Sequence, residues 1–200
     1  MKTVLRGLAP LALALALSGC SLGGLLGGGK APAWLLTLTP EAPAPASMTR
    51  AAAPGNSVTI NVPIIAKELR TTRVPVQISP TAVQYVEDLN WVDTPDRLFQ
   101  ALLSETVRRT TNRVVLDGKQ TALDPGLLVT GQINRFGYDE GAQSVVVQYD
   151  GTLSTQGGTR VETRRFEARV PSAADAASIG NALNRAANQV ALEAANWIGG

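Results

Sequence analysis

Cys20 is the residue with the clearest chemistry in this sequence, because it is the only cysteine and there is no histidine. It follows an apolar run at 8–17, which itself follows a short basic start with Lys2 and Arg6. A basic start, an apolar stretch of roughly 7–15 residues and a few small residues are the anatomy of a secretory signal. The sequence therefore predicts that residues 1–19 are a signal peptide.

The four residues that end this segment, Leu-Ser-Gly-Cys from Leu17 to Cys20, resemble a bacterial lipobox. The resemblance implies cleavage before Cys20 and acylation of its sulfur and of the new amino terminus. A covalent diacylglycerol and an N-acyl chain would then hold the mature protein on a membrane. The alternatives are a plain signal peptide with an incidental cysteine and an N-terminal membrane anchor. The apolar run is short for an anchor, since a spanning helix needs about 20 residues.

Composition excludes several classes of function. Without histidine, and with its one thiol taken by lipid, the chain has no means for disulfides, Cys/His zinc sites or Cys- or Ser-His catalysis. No Walker A, G-x-G-x-x-G or G-x-S-x-G run is present. The paired carboxylates Glu87-Asp88 and Asp139-Glu140 are typical of turns and strand ends. We therefore expect no enzymatic activity, no cofactor and no bound metal.

Charge argues against a nucleic-acid partner. The whole chain has 18 basic and 16 acidic residues. Removing the signal peptide removes Lys2 and Arg6, which leaves 16 of each (18 minus 2 against 16) and no net charge. Binding to nucleic acid requires a basic footprint, and the mature chain has none overall.

The mature chain divides into a tether and one domain. Residues 20–33 are mostly glycine, serine, leucine and alanine, a composition typical of a flexible tether. Residues 34–200 are the length of a single domain. It begins with a strand-like run at 34–39 and continues into a proline-rich loop at 40–56.

Alternating apolar and polar residues predict a strand-rich domain. The predicted strands are 58–62, 74–78, 82–86, 113–116, 127–133, 145–149 and 166–170. Pro75 places the second of them at an edge or in an irregular pairing. The last three predict an antiparallel meander with one apolar and one polar face.

Two helices complete the pattern. The first follows a Thr94 cap and Pro95 at its first position. The second follows a Ser172-x-x-Asp175 cap, a variant of the capping box. Its apolar stripe contains Ile179, Leu183, Ala186, Val190, Ala194 and Trp197, and its opposite face carries Asn181, Asn184, Arg185, Asn188 and Glu193. We expect an α+β fold, a two-layer sandwich with both helices on one face of an antiparallel sheet.

Trp91 is the candidate contact residue of the domain, together with Tyr85. Tryptophan is enriched at the centres of protein interfaces, and Trp91 follows an acidic stretch just before the first helix. One interpretation is that Trp91 and Tyr85 contact a partner protein or a second copy of the chain. The other is that Trp91 packs the loop onto the first helix.

The order of these motifs resembles a known family, the ABC-type transport auxiliary lipoproteins, which include the PqiC-like subunits of MCE transporters. The residues that carry the resemblance follow the lipobox and the tether: Trp34-Leu-Leu-Thr-Leu38 before a proline-rich stretch, Val58 to Pro63 as Val-x-Ile-x-Val-Pro, Tyr85 to Trp91, the meander and the alanine-rich last helix. The chain departs from the family at Trp34-Leu35, where members often have Tyr-Tyr, and at 64–67.

The resemblance implies a non-catalytic accessory subunit, anchored by lipid at the periplasmic face of the outer membrane. Ser21 after the cysteine agrees with that sorting. Its partners would be an MCE-domain protein with its ABC permease and ATPase, in a system that moves lipids or other hydrophobic molecules between membranes. Self-assembly into a homo-oligomer is a further expectation. The alternatives are a cell-envelope assembly or scaffold lipoprotein and a carrier that binds lipid between helix and sheet.

Overall fold

A computed structural model describes residues 34–45, 55–117, 120, 126–155 and 160–200. The predicted signal peptide, Cys20 and the tether lie outside these residues. Residues 32–200 form one compact unit. Its elements are β1 (Ser57–Ile60), β2 (Ile64–Ile65), β3 (Arg73–Ser79), β4 (Ala82–Asn90), α1 (Pro95–Thr110), β5 (Val114–Leu116), β6 (Leu127–Asp139), β7 (Ser144–Thr155), β8 (Val161–Pro171) and α2 (Ala176–Gly199).

The long strand β6 organises a mixed sheet of eight strands. Along one edge β6 pairs antiparallel with β7, and β7 pairs antiparallel with β8. Along its other edge β6 pairs with β1, β2 and β3 in succession, all parallel. The prediction of an antiparallel sheet is therefore wrong for this half. Each of the three strands is too short to cover β6, so they add one after another in the same direction.

Beyond these strands, β5 pairs parallel with β1, and β4 pairs antiparallel with β3. Pro75 is buried in β3 between β4 and β6, so the irregular pairing that proline predicted is present and the edge position is not. The register jumps from Arg73 opposite Asn90 to Pro75 opposite Tyr85, which leaves extra residues on β4. Asp88, in this bulged part, has a φ of 54°, a conformation that aspartate tolerates better than most residues.

Both helices begin close to where the sequence predicts. Pro95 is the first residue of α1, and Thr94 occupies the capping position without a capping bond from its side chain. The cap of α2 is Asp175, whose Oδ1 accepts a hydrogen bond from the Ser178 amide at 2.9 Å. The predicted role of Ser172 in this cap is wrong, because its hydroxyl donates to the Ala173 carbonyl instead.

A row of aromatic rings runs along one face of the sheet and connects the two helices. Phe99 of α1 lies 5.1 Å from Tyr149, Tyr149 lies 6.3 Å from Phe166, and Phe166 lies 5.5 Å from Trp197 of α2, measured between ring centroids. Tyr149 and Phe166 are directly opposite each other on β7 and β8, so they share one face of the sheet. Both helices therefore contact that face, which we call the inner face.

A bulge in β6 increases the apolar content of the inner face. Ile133 pairs with Tyr149 and Arg135 pairs with Gln148, so Asn134 is the extra residue. After it the alternation changes phase, which puts Phe136 and Tyr138 on the inner side; these are 1% and 4% exposed. The sequence pattern, which ended this strand at 133, did not indicate the change.

Candidate functional site: a strap bonded to the last helix

The first described segment, residues 34–45, lies across the domain as an extended strap. It was predicted to begin with a strand, but it makes a single parallel bridge, between Leu36 and Trp91. The Leu36 amide donates to the Asn90 carbonyl at 2.7 Å, and the Val92 amide donates to the Leu36 carbonyl at 2.9 Å. Two of the motifs behind the family resemblance, far apart in sequence, are therefore bonded to each other.

Two asparagines one helical turn apart on α2 hold the next part of the strap. The amides of Thr39 and Glu41 donate to Oδ1 of Asn184 and of Asn188, both at 2.8 Å. Nδ2 of Asn188 donates back to the Thr39 carbonyl at 2.9 Å. Nδ2 of Asn184 donates to the Glu41 carboxylate at 3.0 Å. Asn184 and Asn188, which we call the clamp, thus contact mainly the backbone of the strap.

The spacing of residues along a helix and along an extended chain explains why the two asparagines can bond two residues of the strap. Residues four apart on a helix are about 6 Å apart along its axis, at 1.5 Å each. Alternate residues of an extended chain are about 6.7 Å apart. Asn184 and Asn188 can therefore each meet one of two alternate peptide groups, those of Thr39 and Glu41. The sequence placed both asparagines opposite the apolar stripe of α2 and did not indicate that the strap covers them; Asn188 is only 7% exposed.

Further contacts fix both ends of the clamped segment. At one end the Leu36 side chain lies directly over Gly180, where an added Cβ would come 2.7 Å from Leu36 Cδ2. At the other end Nη1 of Arg109 donates to the Ala42 carbonyl at 2.8 Å. Glu105 orients Arg109 through an ion pair of 2.7 Å. The strap is bonded to β4, α1 and α2 from residue 36 to residue 42.

The two candidate contact residues lie in different environments. Trp91 is 2% exposed and packs edge-on against Phe136 at 5.6 Å, and its Nε1 has no hydrogen-bond partner among the described residues. Burial favours the packing interpretation of Trp91, since so little of its surface is open to a partner. Tyr85 is half-buried; its hydroxyl donates to the Glu68 carbonyl at 3.2 Å and its ring lies 4.2 Å from the Arg73 guanidinium. Its role as a contact residue stays a prediction.

Burial and neighbouring cations shift the pKa values of several titratable groups on the two faces of the sheet. Burial raises the pKa of the Tyr149 hydroxyl. A hydrogen bond from Arg135 lowers the pKa of Asp139, and one from Arg165 lowers that of Asp150. The described residues contain no group of three or more histidine, cysteine, aspartate or glutamate side chains placed to hold a metal ion. Among the same residues no helix has the length and apolarity needed to cross a membrane.

The clamp was missed at the sequence level, although one signal was present. Asparagine is a poor helix former, and two of them four residues apart inside an otherwise alanine-rich helix are unfavourable unless their amides are used. The pattern shows that Asn184 and Asn188 share a face with each other. It does not show that an extended segment about 145 residues earlier in the chain lies on that face.

Comparison with known proteins identifies the class of this domain. The model of the ABC-type transport auxiliary lipoprotein component family matches residues 36–195. The match covers most of the chain, so the protein belongs to this family, and the resemblance drawn from the motifs is confirmed. The matched region begins at Leu36 and ends within α2, so it includes the bonded part of the strap and its clamp.

Solved structures share the fold at low sequence identity. Protein XCC0632 from Xanthomonas campestris, assigned to the family DUF330, is similar with a TM-score of 0.65 and 18% identity, covering 84% of this chain and 92% of its own. An uncharacterized protein matches with a TM-score of 0.61 and 15% identity over 73% of this chain and 94% of its own. No curated protein matches the chain.

Proposed function

We propose that this protein is a non-catalytic subunit of an MCE-type ABC transporter, held by lipid on Cys20 at the periplasmic face of the outer membrane. Family membership and the Leu-Ser-Gly-Cys motif support the lipoprotein role. The observation that carries the proposal is the bonded strap. The chain that arrives from Cys20 is tied to β4, α1 and α2, so a pull on the anchor acts on the whole domain.

The tether sets how far the domain stands from its membrane. Cys20 and Trp34 are 14 positions apart (34 minus 20). At no more than about 3.6 Å per residue, the tether reaches at most about 50 Å. The domain can thus meet a partner that extends from the inner membrane without leaving its own bilayer. In this role it docks the MCE-domain protein, while the partner ATPase supplies the energy.

Packing on the inner face argues against the alternative of a lipid carrier. Ala186 and Val190 of α2 are fully buried, and Tyr149 beneath the helices is 1% exposed. A groove of about 590 Å³ does lie beside the start of α1, but charged side chains, including Arg70 and Arg97, contribute to its lining. Acyl chains require an apolar lining instead.

The anchoring proposal is tested by metabolic labelling with palmitate, followed by separation of the two membranes on a density gradient. The wild-type chain should incorporate label and sediment with the outer membrane. Cys20→Ala should lose the label and the membrane association while the domain stays folded. Label that persists in Cys20→Ala, or labelled wild-type protein in the inner-membrane fraction, contradicts the proposal. Permease, ATPase and MCE genes beside this gene would support the transport role.

A further inference from the structure

The outer edge of β8 is the longest free strand edge in the described part of the sheet. β8 has 11 residues and pairs along one side with β7, and no described strand pairs with its other side. At the opposite side of the sheet, the edge strand β5 has only three residues. The edge strand β4 is interrupted by its register shift, and the strap forms a bridge to Trp91 directly after it. A free edge presents unpaired backbone N–H and C=O groups, which another strand can bind.

Charged side chains restrict which strand can bind this edge. On the face of β8 away from the helices, Arg165, Glu167 and Arg169 alternate with inward-facing residues. Arg165 is 62% exposed and Arg169 is 49% exposed at their side chains. Charges on an edge strand normally prevent pairing with arbitrary strands. A strand whose charges are complementary in one register escapes this restriction, because opposite charges across a strand pair attract.

β8 is complementary to itself in the register that pairs its whole length. A two-fold axis perpendicular to the sheet sets two copies of β8 antiparallel and keeps the helices of both copies on the same side. When the axis passes through Phe166, all 11 residues pair, from Val161 opposite Pro171 onward. Each Arg165 then lies opposite Glu167 of the second copy. The exposed Val161, at 62%, lies opposite an apolar ring instead of water.

The neighbouring registers are unfavourable. Moving the axis by one residue toward the start of β8 sets Arg165 opposite Arg165. Moving it one residue the other way sets Glu167 opposite Glu167 and Arg165 opposite Arg169. The register about Ala168 also sets opposite charges together, Glu167 against Arg169, but it pairs only residues 165–171, so the register about Phe166 combines opposite charges with the greatest overlap. Like charges directly opposite each other destabilise a strand pair.

We propose that β8 is a homodimer interface, in which the edges of two copies pair antiparallel about Phe166 to join their sheets. The helices leave this edge open, because Trp197 of α2 lies over the inner side of β8, against Phe166 and within 3.4 Å of the Glu162 carboxylate. The inference does not depend on the proposed transport role, since it uses only the described residues of the domain.

Distances between spin labels test the register. The chain from residue 20 onward, with Cys20→Ser, keeps the whole compact unit at 32–200. In the proposed dimer, labels on Thr163→Cys are six positions apart along the joined strands, about 20 Å, and labels on Val161→Cys are ten positions apart, about 34 Å. Dipolar spectra with distances of about 20 Å and about 34 Å support this register, because each one-residue move of the axis keeps their difference but shifts both distances by about 7 Å. Monomers at all concentrations in sedimentation equilibrium overturn the interface, and distances that both differ from these values by about 7 Å or more overturn the register.

Charge exchange tests the interface independently. Arg165→Glu should raise the dimer dissociation constant at least tenfold, since it sets the new carboxylate opposite that of Glu167. The double variant Arg165→Glu with Glu167→Arg should restore dimerisation, and the matched control Arg185→Glu, exposed on α2, should leave it unchanged. Because Arg165 also pairs with Asp150, thermal unfolding is measured for each variant to show that it is folded. Undiminished dimerisation of Arg165→Glu, or no recovery in the folded double variant, contradicts the proposed register.

Discussion

The two faces of the strands β6, β7 and β8 are built from alternate residues of the same segments, yet they differ completely. The inner face carries the aromatic row of Phe99, Tyr149, Phe166 and Trp197 and is covered by helices. The face away from the helices, which we call the outer face, carries charged pairs whose side chains are partly exposed. On the inner face stability comes from burial of apolar area, which contributes a large free energy. On the outer face it comes from partly exposed ion pairs, which are individually weak.

The outer pairs form a connected row. Arg135 binds Asp139 at 2.8 Å, Arg165 binds Asp150 at 2.7 Å and Arg169 binds Glu167 at 2.8 Å. Each of these carboxylates has a cation beside it, so a sheet face without helices stays soluble and electrically balanced. Whether a residue faces the helices, more than its type, therefore decides how much a substitution changes stability.

The largest effect is expected where a charge enters the inner face. Ala186 is fully buried on α2, and Ala186→Glu would place an unpaired carboxylate between helix and sheet, a loss of several kcal/mol in the free energy of unfolding. The matched control is Arg185→Glu, one residue away and exposed. Urea unfolding of the two variants provides the measurement. Equal stability of Ala186→Glu and the wild type would show that this face of α2 is not seated on the sheet.

Substitution of Trp91, which packs at the border of the inner face, should also reduce stability. Trp91→Ala removes a buried ring that packs on Phe136, and we expect a loss of about 3–5 kcal/mol. Trp91→Phe should cost far less, because the Trp91 Nε1 has no hydrogen-bond partner among the described residues to lose. If Trp91→Ala unfolds like the wild type but no longer binds the MCE partner or self-associates, the contact interpretation is correct and the packing interpretation fails.

The strap clamp should give an intermediate effect. Asn188→Ala removes the bonds to the Thr39 carbonyl and the Glu41 amide and leaves those backbone groups to find other partners, at a cost of about 1–3 kcal/mol. Asn181→Ala, on the exposed side of α2, is the control. Hydrogen exchange at Glu41 should accelerate in the first variant alone. Unchanged exchange there would mean that the asparagines do not hold the strap.

The smallest effect is expected on the outer face, and it should depend on pH. Bonds from Arg135 lower the pKa of Asp139 in the folded chain. At Glu167 burial acts in the opposite direction, but bonds from Gln148 and Arg169 outweigh it, so the pKa is also lowered. Lowered pKa values stabilise the fold above the unfolded pKa, near 4, and this stabilisation is lost as the pH falls through the folded pKa.

Asp139→Asn is the variant that isolates this effect. It should cost no more than about 1 kcal/mol at neutral pH, because the Arg135–Asp139 pair is partly exposed. The stability difference from the wild type should shrink as the pH falls below about 4, where Asp139 itself becomes protonated. A difference that stays constant with pH, followed by urea unfolding, would mean that the ion pair does not contribute.

The features that the sequence could predict are those set by residues close together in the chain. The alternation in β7 and β8 and the apolar stripe of α2 identified the inner face, since Tyr149, Phe166 and Ala186 lie where the pattern put them. Pro95 located the start of α1 for the same local reason. The family followed from motif order. These features depend on neighbours within a few residues.

The features that escaped prediction depend on pairing between distant segments. Alternation is the same for a parallel and an antiparallel strand, so nothing in β1 or β3 showed that they run parallel to β6. The bulge at Asn134 is a single extra residue in an unbroken run. The strap lies on Asn184 and Asn188 because the fold brings residues 39–41 to α2, a contact between the two ends of the domain.

The central claim, that this lipoprotein serves an MCE-type ABC transporter, is tested most directly by purifying tagged wild-type protein from crosslinked envelopes and identifying its partners by mass spectrometry. An unrelated lipoprotein of the same membrane, tagged alike, is the control. We expect the MCE-domain protein, permease and ATPase to appear with this chain and not with the control. Their absence from the wild-type sample, with Cys20 acylated and the domain folded, would contradict the proposed function.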